Sequence, residues 1–367
     1  MDIRDRRLKA RLSKWSTCSV ETKRGLVKPR KVIMLKRFLS YYEPQMGLFV
    51  ADTVCALVLA AIDLAFPIIL RNLTGGLFTQ GQAAIMQALG MIAVGLVLMY
   101  VIRCACRYFV SYWGHVMGAR MESKMREDLF DQYERFSFAY FDRNSSGDMM
   151  SRVVNDLFDI CEAAHHVPEW IIICGIEIVG SFVILFAIAP VLALAMAVVT
   201  AVFAVIMFWQ NMRMREVFSD NRKKISGINA QLQDSLAGMR VVKSFANEET
   251  ERAKFRASND RYLSSKENMY HAMGVYTATY GLLSGVLYVI VVLLGGWLVA
   301  QGQLQAVDMA TFALYISLFC TPLETLVNSA ETYQKAIAGF KRMDEVLSTA
   351  PDIQDKPGAV DLQVTAG

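Results

Sequence analysis

Residues 140–156, Tyr-Phe-Asp-Arg-Asn-Ser-Ser-Gly-Asp-Met-Met-Ser-Arg-Val-Val-Asn-Asp, form a polar, turn-forming stretch between two of the most apolar parts of the chain. Asp, Asn and Ser favour turns and helix N-caps because their side chains bond to nearby backbone groups, and Gly leaves the backbone free to turn. We predict a sharp turn over residues 142–148 and a helix that begins near Met149. Long, stiff elements on both sides would then meet at this turn.

The composition of the whole chain indicates an integral membrane protein. Of its 367 residues, 54% are hydrophobic and 20% are charged, which is too apolar for a soluble domain of this length. The apolar residues occur in blocks of about 20 or more, the length a helix needs to cross a bilayer. We therefore predict an all-α membrane protein with six transmembrane helices and long cytoplasmic extensions. The predicted spans are 47–70, 84–113, 167–189, 190–209, 273–300 and 307–327.

Lys and Arg are distributed unevenly between the two ends of these spans. Thirty-five of the 38 lie in residues 1–45, 114–166, 211–270 and 328–367, whereas the opposite loops hold only Arg71. Basic loops remain in the cytoplasm. We therefore expect a multi-pass protein of the plasma (inner) membrane with both termini and both long loops inside. Residues 1–30 are predicted to be a basic disordered tail, and residues 31–45 an interfacial elbow helix.

The two long loops, 114–166 and 211–270, continue the helical pattern of the spans. In the first, apolar residues recur at intervals of three and four and are predicted to line one face: Met117, Met121, Met125, Leu129, Phe130, Tyr133 and Phe136. Each loop is predicted to be a helical hairpin that projects roughly 30 to 40 Å beyond the bilayer. The second hairpin turns at residues 237–246, where Gly238 and two β-branched residues interrupt good helix formers, and Asn247 can cap the next helix.

Both turns carry motifs of a known family. The first reads Phe-Asp-Arg-Asn-x-x-Gly-Asp-x-x-Ser-Arg-x-x-Asn-Asp from Phe141, and the second reads Asp-Ser-Leu-x-Gly-Met-Arg-Val-Val-Lys-Ser-Phe from Asp234. Together with the order of the helices, these motifs closely resemble the two intracellular loops of ATP-binding cassette (ABC) exporters. The resemblance implies that residues 46–348 are the six-helix transmembrane domain of such an exporter. It also implies that residues 349–367 are a linker toward a nucleotide-binding domain.

In that family two short transverse segments, the coupling helices, dock into the nucleotide-binding domains. The resemblance places the first coupling helix at residues 142–148 and the second at about 235–245. The residues assigned to the first coupling helix and its motif are Asp142, Arg143, Asn144, Ser145, Gly147, Asp148, Ser151, Arg152, Asn155 and Asp156. Those assigned to the second, which would reach the opposite subunit, are Ser235, Gly238, Met239, Arg240, Val241, Val242, Lys243 and Phe245.

The chain departs from the family in lacking a nucleotide-binding motif. No Lys follows a Gly, so the phosphate-binding sequence Gly-x-x-x-x-Gly-Lys-Ser/Thr does not occur. We expect no catalytic residue, cofactor or metal site in this chain, and ATP and Mg²⁺ on a nucleotide-binding domain that lies downstream in the same polypeptide or on a separate subunit. The downstream arrangement is favoured because the linker resemblance runs to Gly367. A second transmembrane domain, in a homodimer or heterodimer, and the lipid bilayer are the other expected partners; nucleic acid is not one.

Ionisable residues inside the predicted spans are candidates for a cavity or an internal ion pair: Asp63, Arg103, Glu177 and Glu324. Asp63 and Glu177 could contact a cationic substrate, and Arg103 could pair with one of them; we weight pairing above substrate binding. The adjacent His165 and His166 are predicted to be a surface pair rather than a metal site, because no third ligand lies near them in the sequence.

Two functions remain open from the sequence. The family resemblance implies an exporter that moves an amphiphilic substrate, such as a drug, lipid or peptide, by alternating access, so that the full-length protein would be an ABC-type ATPase. The alternative is a proton-driven peptide transporter of the same membrane fold without a cassette, with Asp63, Glu177 or Glu324 as the proton carrier. A phosphate-binding motif in the rest of the reading frame would favour the first.

Overall fold

The structure is a computed structural model that describes residues 30–354, 356 and 358–360. Every regular element within these residues is a helix, which confirms the predicted all-α fold class. The helices are α1 (Arg30–Ser40), α2 (Met46–Gly75), α3 (Gln82–Phe109), α4 (His115–Glu134), α5 (Phe138–Arg143), α6 (Ser146–Ser151), α7 (Leu157–Ile188), α8 (Pro190–Ala237), α9 (Met239–Ser244), α10 (Glu248–Ile290), α11 (Gly296–Ala300) and α12 (Ala306–Leu347).

Six helical stretches of the described chain are long and apolar enough to cross a membrane, as predicted. They are Met34–Thr79, Gln82–Glu134, Ser146–Ile188, Pro190–Ala237, Glu248–Ala300 and Ala306–Leu347. Several extend far beyond the length that a bilayer requires. Helix α8 has 48 residues, which at 1.5 Å per residue is about 70 Å, more than twice the roughly 30 Å of a hydrocarbon core. The helices therefore continue outside the membrane as rigid extensions.

Within the described part of the chain, three π-helical turns interrupt the long helices without ending them. They lie at Val110–Gly114 between α3 and α4, at Arg152–Asp156 between α6 and α7, and at Val291–Gly295 between α10 and α11. A π turn inserts one extra residue and so rotates the helix that follows relative to the helix before it. The side chains that α4 and α7 direct toward their neighbours therefore depend on these turns.

The long helices pack in two groups. Helix α7 packs along α12, α2 and α4, whereas α8 packs mainly along α10. Large buried side chains fill the core that the helices share: Leu185, Leu192, Met196, Phe312, Tyr315 and Phe319. Beyond Asn211, only Ile228 of α8 is buried. The far part of the α8–α10 hairpin therefore has little of the described chain to pack against besides itself.

One face of α4 is buried against α7, as the three and four spacing predicted. The buried residues of this face are Met117, Met121, Met125, Leu129, Tyr133 and, just beyond the helix end, Phe136. The prediction is wrong for Phe130, which is 57% exposed. Phe130 follows Leu129 directly, so it lies about 100° around the helix from the buried stripe, which continues at four-residue steps.

Short connections join the helices at one end of the bundle. Ala189 alone separates α7 from α8, and Pro190 begins α8, where its missing N–H costs no helical hydrogen bond. Gly302, with a φ of +72°, permits the turn between α11 and α12. Arg71 of α2 donates to the buried carboxylate of Asp308 at 2.5 Å, and Asp308 also closes the capping box at the start of α12. The sequence marked Arg71 only as an isolated basic residue.

The two ends of the chain are described in part. The predicted tail lies outside the described residues except for Arg30, and so do residues 361–367 of the predicted linker. Among the described residues, 30–40 belong to a unit separate from the one that begins at Tyr41. The predicted elbow segment contains α1 and, after it, a 3₁₀ turn at Glu43–Gln45. Helix α2 then begins at Met46, and α12 ends at Leu347.

Candidate functional site

The first hairpin ends in two short helices, α5 and α6, which together with the following π turn form tip 1 (residues 137–156). Asn144 and Ser145 are extended and separate the helices. The oxygen Oγ of Ser145 caps α6 by accepting a hydrogen bond from the amide of Gly147 at 3.2 Å. The prediction of one coupling segment over 142–148 is therefore corrected: this range holds the end of α5 and the first turn of α6. Helix α6 begins at Ser146, before the predicted Met149, because Ser145 provides the cap.

Tip 1 presents an exposed surface of mixed character. The predicted residues that are exposed are Asp142, Arg143, Ser145, Gly147, Asp148 and Asn155, and those that are partly buried are Asn144, Ser151 and Arg152. Apolar side chains are exposed beside them, with Phe138 at 91% and Met150 at 66%. Exposed apolar groups surrounded by polar residues are typical of a protein contact surface.

Asp156, the last residue of the first motif, is buried and points into the molecule. Its two carboxylate oxygens accept hydrogen bonds from Nε and Nη2 of Arg342 in α12, each at 2.6 Å. A Cβ added at Gly339 would lie 3.2 Å from the carbonyl oxygen of Asp156, so α12 passes very close to the π turn. The structure therefore gives Asp156 a role inside the molecule, and it adds Arg342, which sequence reasoning missed.

The segment that follows α12 runs beside tip 1. Gln132 donates to the carbonyl oxygen of Thr349 at 2.7 Å, and the hydroxyl of Ser137 donates to the carboxylate of Asp352 at 3.0 Å. Together with the Asp156–Arg342 pair, these bonds connect the start of the predicted linker to the first hairpin. A displacement of the first hairpin would therefore also displace the start of the predicted linker.

The second hairpin turns through the short helix α9, and we name residues 235–247 tip 2. Its predicted residues lie on α8 and α9 and at the two positions that flank α9, Gly238 and Phe245. Ser235 belongs to the end of α8 and donates to Glu251 of α10 at 2.9 Å. Lys243 pairs with Glu248 at 2.9 Å across the α9–α10 turn, in which Ala246 has a φ of +48°. Ser235 and Lys243 therefore hold the tip together.

The outer surface of tip 2 is apolar and basic. The exposed predicted residues are Met239, Arg240, Val241, Lys243 and Phe245, whereas Ser235, Gly238 and Val242 are partly buried. Phe245 is 79% exposed and Val241 is 61% exposed. Gly238 separates α8 from α9. Helix α10 begins with three acidic residues in its first turn, where their negative charge interacts favourably with the helix dipole. Tip 2 is thus a short segment, held by internal hydrogen bonds and an ion pair, at the end of two long helices.

An internal charge cluster joins α2, α3 and α7. Arg103 donates through Nε and Nη2 to the two carboxylate oxygens of Asp63, at 2.8 and 3.3 Å. Glu177 is buried and is near enough for Asp63, Arg103 and Arg107 to act on it electrostatically. Glu324 lies apart, on α12 close to Tyr280 of α10. The structure thus pairs Arg103 with Asp63 and leaves Glu177 as the second carboxylate of the cluster.

The prediction that His165 and His166 form a surface pair is wrong. His165 is 3% exposed, and His115 lies beside it, with ring centroids 4.5 Å apart. Gly114 and Gly118 make this possible, because a Cβ at Gly118 would lie only 3.0 Å from Nδ1 of His165. The third histidine was missed because it is remote in sequence.

A bundle of six potential spanning helices with two long hairpins, which end in short exposed helices, defines a helical membrane domain. Residues 49–323 match the family model described as the ABC transporter transmembrane region. The chain belongs to this family.

Curated relatives agree with this assignment. The chain is 32% identical over 334 residues to the uncharacterized ABC transporter ATP-binding protein YwjA of Bacillus subtilis (strain 168), a match that covers 91% of this chain and 58% of the relative. It is 23% identical over 340 residues to an ATP-dependent lipid A-core flippase of Syntrophus aciditrophicus (strain SB), covering 91% and 55%. It is also 23% identical over 332 residues to the putative multidrug export ATP-binding/permease protein YgaD of Bacillus subtilis (strain 168), covering 89% and 57%.

The chain spans a little more than half the length of these relatives. The names of all three relatives include ATP binding or ATP dependence. The comparisons therefore do not favour the alternative of a proton-driven transporter without a cassette.

Proposed function

We propose that this chain is the membrane-spanning half of an ATP-driven exporter, coupled through tip 1 and tip 2 to nucleotide-binding domains. The proposed substrate class is amphiphilic, such as a drug, lipid or peptide. The names of two relatives, a lipid A-core flippase and a putative multidrug export protein, support this class. The family membership of the chain supports the transport role.

The observation that carries the proposal is the exposure of large apolar side chains at the very ends of the hairpins. At tip 2, Phe245 is 79% exposed and Val241 is 61% exposed. Burying one such side chain contributes about 1.5 to 3 kcal/mol. A partner groove that covered both would therefore hold tip 2 firmly, while Arg240 and Lys243 would select an acidic rim.

The helices behind the tips are suited to transmit a displacement. Helix α8 runs without a break from Pro190 to Ala237, and α10 and α11 return with one π turn between them. Packed helices move as units rather than bending continuously. We propose that ATP and Mg²⁺, bound on the nucleotide-binding domains, bring these domains together. The tips would follow, and the membrane ends of the helices would open the cavity to the other side.

A second transmembrane domain is the other proposed partner. The far part of α8 buries only Ile228 of this chain, and α10 buries only Ser265 before Tyr276. Two long helices with so little packing would gain most from a neighbouring subunit in a homodimer or heterodimer. The complete transporter would then contain two transmembrane domains and two nucleotide-binding domains.

The proposed location is the plasma (inner) membrane, with both termini and both tips in the cytoplasm. The distribution of Lys and Arg supports this orientation, since 35 of the 38 fall on the side of the tips. Within the bundle, we propose that the Asp63–Arg103 pair is structural. Buried Glu177, on the same cluster, is the proposed contact for a cationic group of the substrate.

The coupling role of tip 2 is tested in the complete transporter, with its nucleotide-binding domains, in proteoliposomes. The change is Phe245→Ser, which removes the most exposed aromatic ring of the tip without touching the bonds inside it. We expect substrate-stimulated ATPase activity to fall at least about tenfold, because one lost apolar anchor of about 1.5 kcal/mol or more corresponds to that factor.

The matched control is Phe130→Ser on α4, where the ring is 57% exposed but lies outside both tips. The control should leave stimulated ATPase activity within about twofold of the wild type, as expected for a surface change. Normal stimulated activity in the Phe245→Ser transporter, or equal loss in both variants, would exclude tip 2 as the coupling contact.

A further inference from the structure

Three of the four histidines of the chain meet at one place. His115 begins α4, and His165 and His166 lie on α7. One nitrogen from each ring lies within 4.8 Å of the others. The ring centroids are 4.5 Å apart for His115 and His165, 5.1 Å for His115 and His166, and 4.1 Å for His165 and His166. The fourth histidine, His271, is exposed on α10.

His165 is oriented as a ligand would be. Its Nδ1 lies 2.9 Å from the carbonyl oxygen of Cys161, and since a carbonyl oxygen only accepts, Nδ1 carries the proton. This leaves Nε2 with a free lone pair, and Nε2 is buried without a hydrogen-bond partner among the described residues. A metal-binding histidine usually donates a hydrogen bond from one ring nitrogen, often to a backbone carbonyl, and offers the other nitrogen to the ion.

Negative charge surrounds the three rings. The carboxylates of Glu162 and Glu169 each lie 3.6 Å from a nitrogen of His166, close enough for attraction but too far for a hydrogen bond. Asp52 of α2 is 6% exposed, and its Oδ1 is buried without a hydrogen-bond partner in the described chain. A buried ionised carboxylate is costly unless it is paired with a positive charge, and a cation at the rings would supply that charge.

The backbone is shaped to bring the rings together. A Cβ added at Gly114 would lie 3.3 Å from Oδ1 of Asp52 and 3.9 Å from Cδ2 of His165, and one at Gly118 would lie 3.0 Å from Nδ1 of His165. The π turn Val110–Gly114 immediately precedes His115. Without its extra residue, His115 would be rotated by about 100° and would face away from α7.

We infer that His115, His165 and His166 form a binding site for a divalent transition-metal ion, with zinc the ion that such a ligand set suits best. Nitrogens around a tetrahedral zinc ion lie about 3.4 Å apart, given bond lengths of about 2.0 to 2.1 Å. The nitrogens, which now lie within 4.8 Å of one another, must therefore approach by up to roughly 1.4 Å. His115 is exposed and free to make this adjustment.

A bound ion at this place would join α4 to α7, the two helices that lead to tip 1. Asp52 adds α2 to the same neighbourhood. The ion would therefore oppose relative sliding of the helices that carry tip 1. This site is independent of the proposed transport function, because none of its residues belongs to either tip or to the Asp63–Arg103–Glu177 cluster.

The test is metal binding to the purified full chain in detergent after removal of metals with a chelator. Zn²⁺ content after equilibrium dialysis should approach one ion per chain, and Co²⁺ should give the intense visible absorption of tetrahedral coordination. His115→Ala, which alters an exposed ring, should weaken Zn²⁺ binding roughly 100-fold or more, because even partners of ligands contribute 10- to 100-fold. Zn²⁺ should raise the unfolding temperature of the wild type and not that of His115→Ala.

His271→Ala is the matched control and should bind Zn²⁺ as the wild type does. Circular dichroism of both variants shows whether the helices are intact. Any of three results of the Zn²⁺ measurements would overturn the inference: no stoichiometric Zn²⁺ binding by the wild type, unchanged binding in His115→Ala, or equal loss in His271→Ala. Octahedral Co²⁺ absorption would also overturn it, because that geometry indicates a hydrated ion on surface carboxylates rather than a three-histidine site.

Discussion

Replacing Arg342 should lower the local stability of tip 1. Arg342 in α12 donates two hydrogen bonds of 2.6 Å to the carboxylate of Asp156, and this pair fastens the π turn of tip 1 to α12. We choose Arg342→Met because Met keeps much of the apolar stem of Arg and removes only the guanidinium. The carboxylate of Asp156 would then lose its partner while remaining buried.

The magnitude follows from the geometry of the pair. The side chain of Asp156 is 9% exposed, and that of Arg342 is 44% exposed. Hydrogen bonds to charged groups contribute about 1.5 to 3 kcal/mol each, and breaking a fully buried pair costs about 3 to 5 kcal/mol. Because nearly half of the guanidinium is in contact with solvent, the lower end applies, and we expect a loss of about 2 kcal/mol in local stability. This corresponds to a factor of roughly 30 in the opening equilibrium.

The assay is amide hydrogen exchange, followed by mass spectrometry, on the purified chain in detergent. Exchange in peptides that cover residues 146–160 and 336–348 reports opening of the π turn away from α12. We expect these peptides to exchange about 30-fold faster in Arg342→Met than in the wild type. The double variant Arg342→Met/Asp156→Asn should exchange more slowly than Arg342→Met, because no unpaired charge then remains buried.

Arg222→Met provides the control. Arg222 also pairs with a residue of α12, Glu331, but at 3.7 Å and with both side chains largely exposed. An exposed pair contributes about 0 to 1 kcal/mol, so exchange should change by less than about fivefold near residue 222 and not at all in tip 1. If Arg342→Met changes exchange in tip 1 no more than Arg222→Met does, the Asp156–Arg342 pair does not hold the tip.

Three further predictions are tested by thermal unfolding in detergent. Gly339→Ala should destabilise the folded protein by about 1 to 3 kcal/mol, since its Cβ would lie 3.2 Å from a carbonyl oxygen. Gly227→Ala, where the Cβ would meet open space, should stabilise it by up to about 1 kcal/mol. If Gly227→Ala were the more destabilising of the two, the close packing at Gly339 would be contradicted. Ser145→Ala should cost about 1 kcal/mol by removing the cap of α6, and Ser145→Asp should restore it. Tyr315→Phe should cost about 1 kcal/mol by removing a 2.5 Å hydrogen bond to a carbonyl oxygen of α2, and no change would show that the bond contributes nothing.

The predicted spans agree with the structure because their signal is local. A block of about 20 apolar residues becomes a helix in a membrane regardless of what it packs against, since its backbone groups have no other partner there. The stripe from Met117 to Phe136 likewise follows from helical spacing alone. Phe130 was assigned wrongly to this stripe because the width of the buried face depends on the neighbouring helix and not on the spacing within α4.

The turns at the tips were predicted, but the helix start predicted in tip 1 was wrong. Residues 142–148 contain several good caps in succession, and local chemistry does not choose among them. The structure selects Ser145, and α6 accordingly begins at Ser146. In tip 2, Gly238 was recognised as a break and does separate two helices, because no equally good alternative lies near it.

The sequence by itself determined the helical class, the number of spans and the existence of two hairpin tips, all of which depend on patterns within single continuous segments of the chain. Only the tertiary structure decided which distant side chains meet. Asp156 and Arg342 are 186 residues apart, and His115 reaches His165 through a π turn that rotates one helix against another. Such contacts depend on the rotation and approach of whole helices, and one inserted residue or one missing Cβ changes them. Local patterns carry no record of that rotation, so the ion pair and the histidine cluster became visible only in three dimensions.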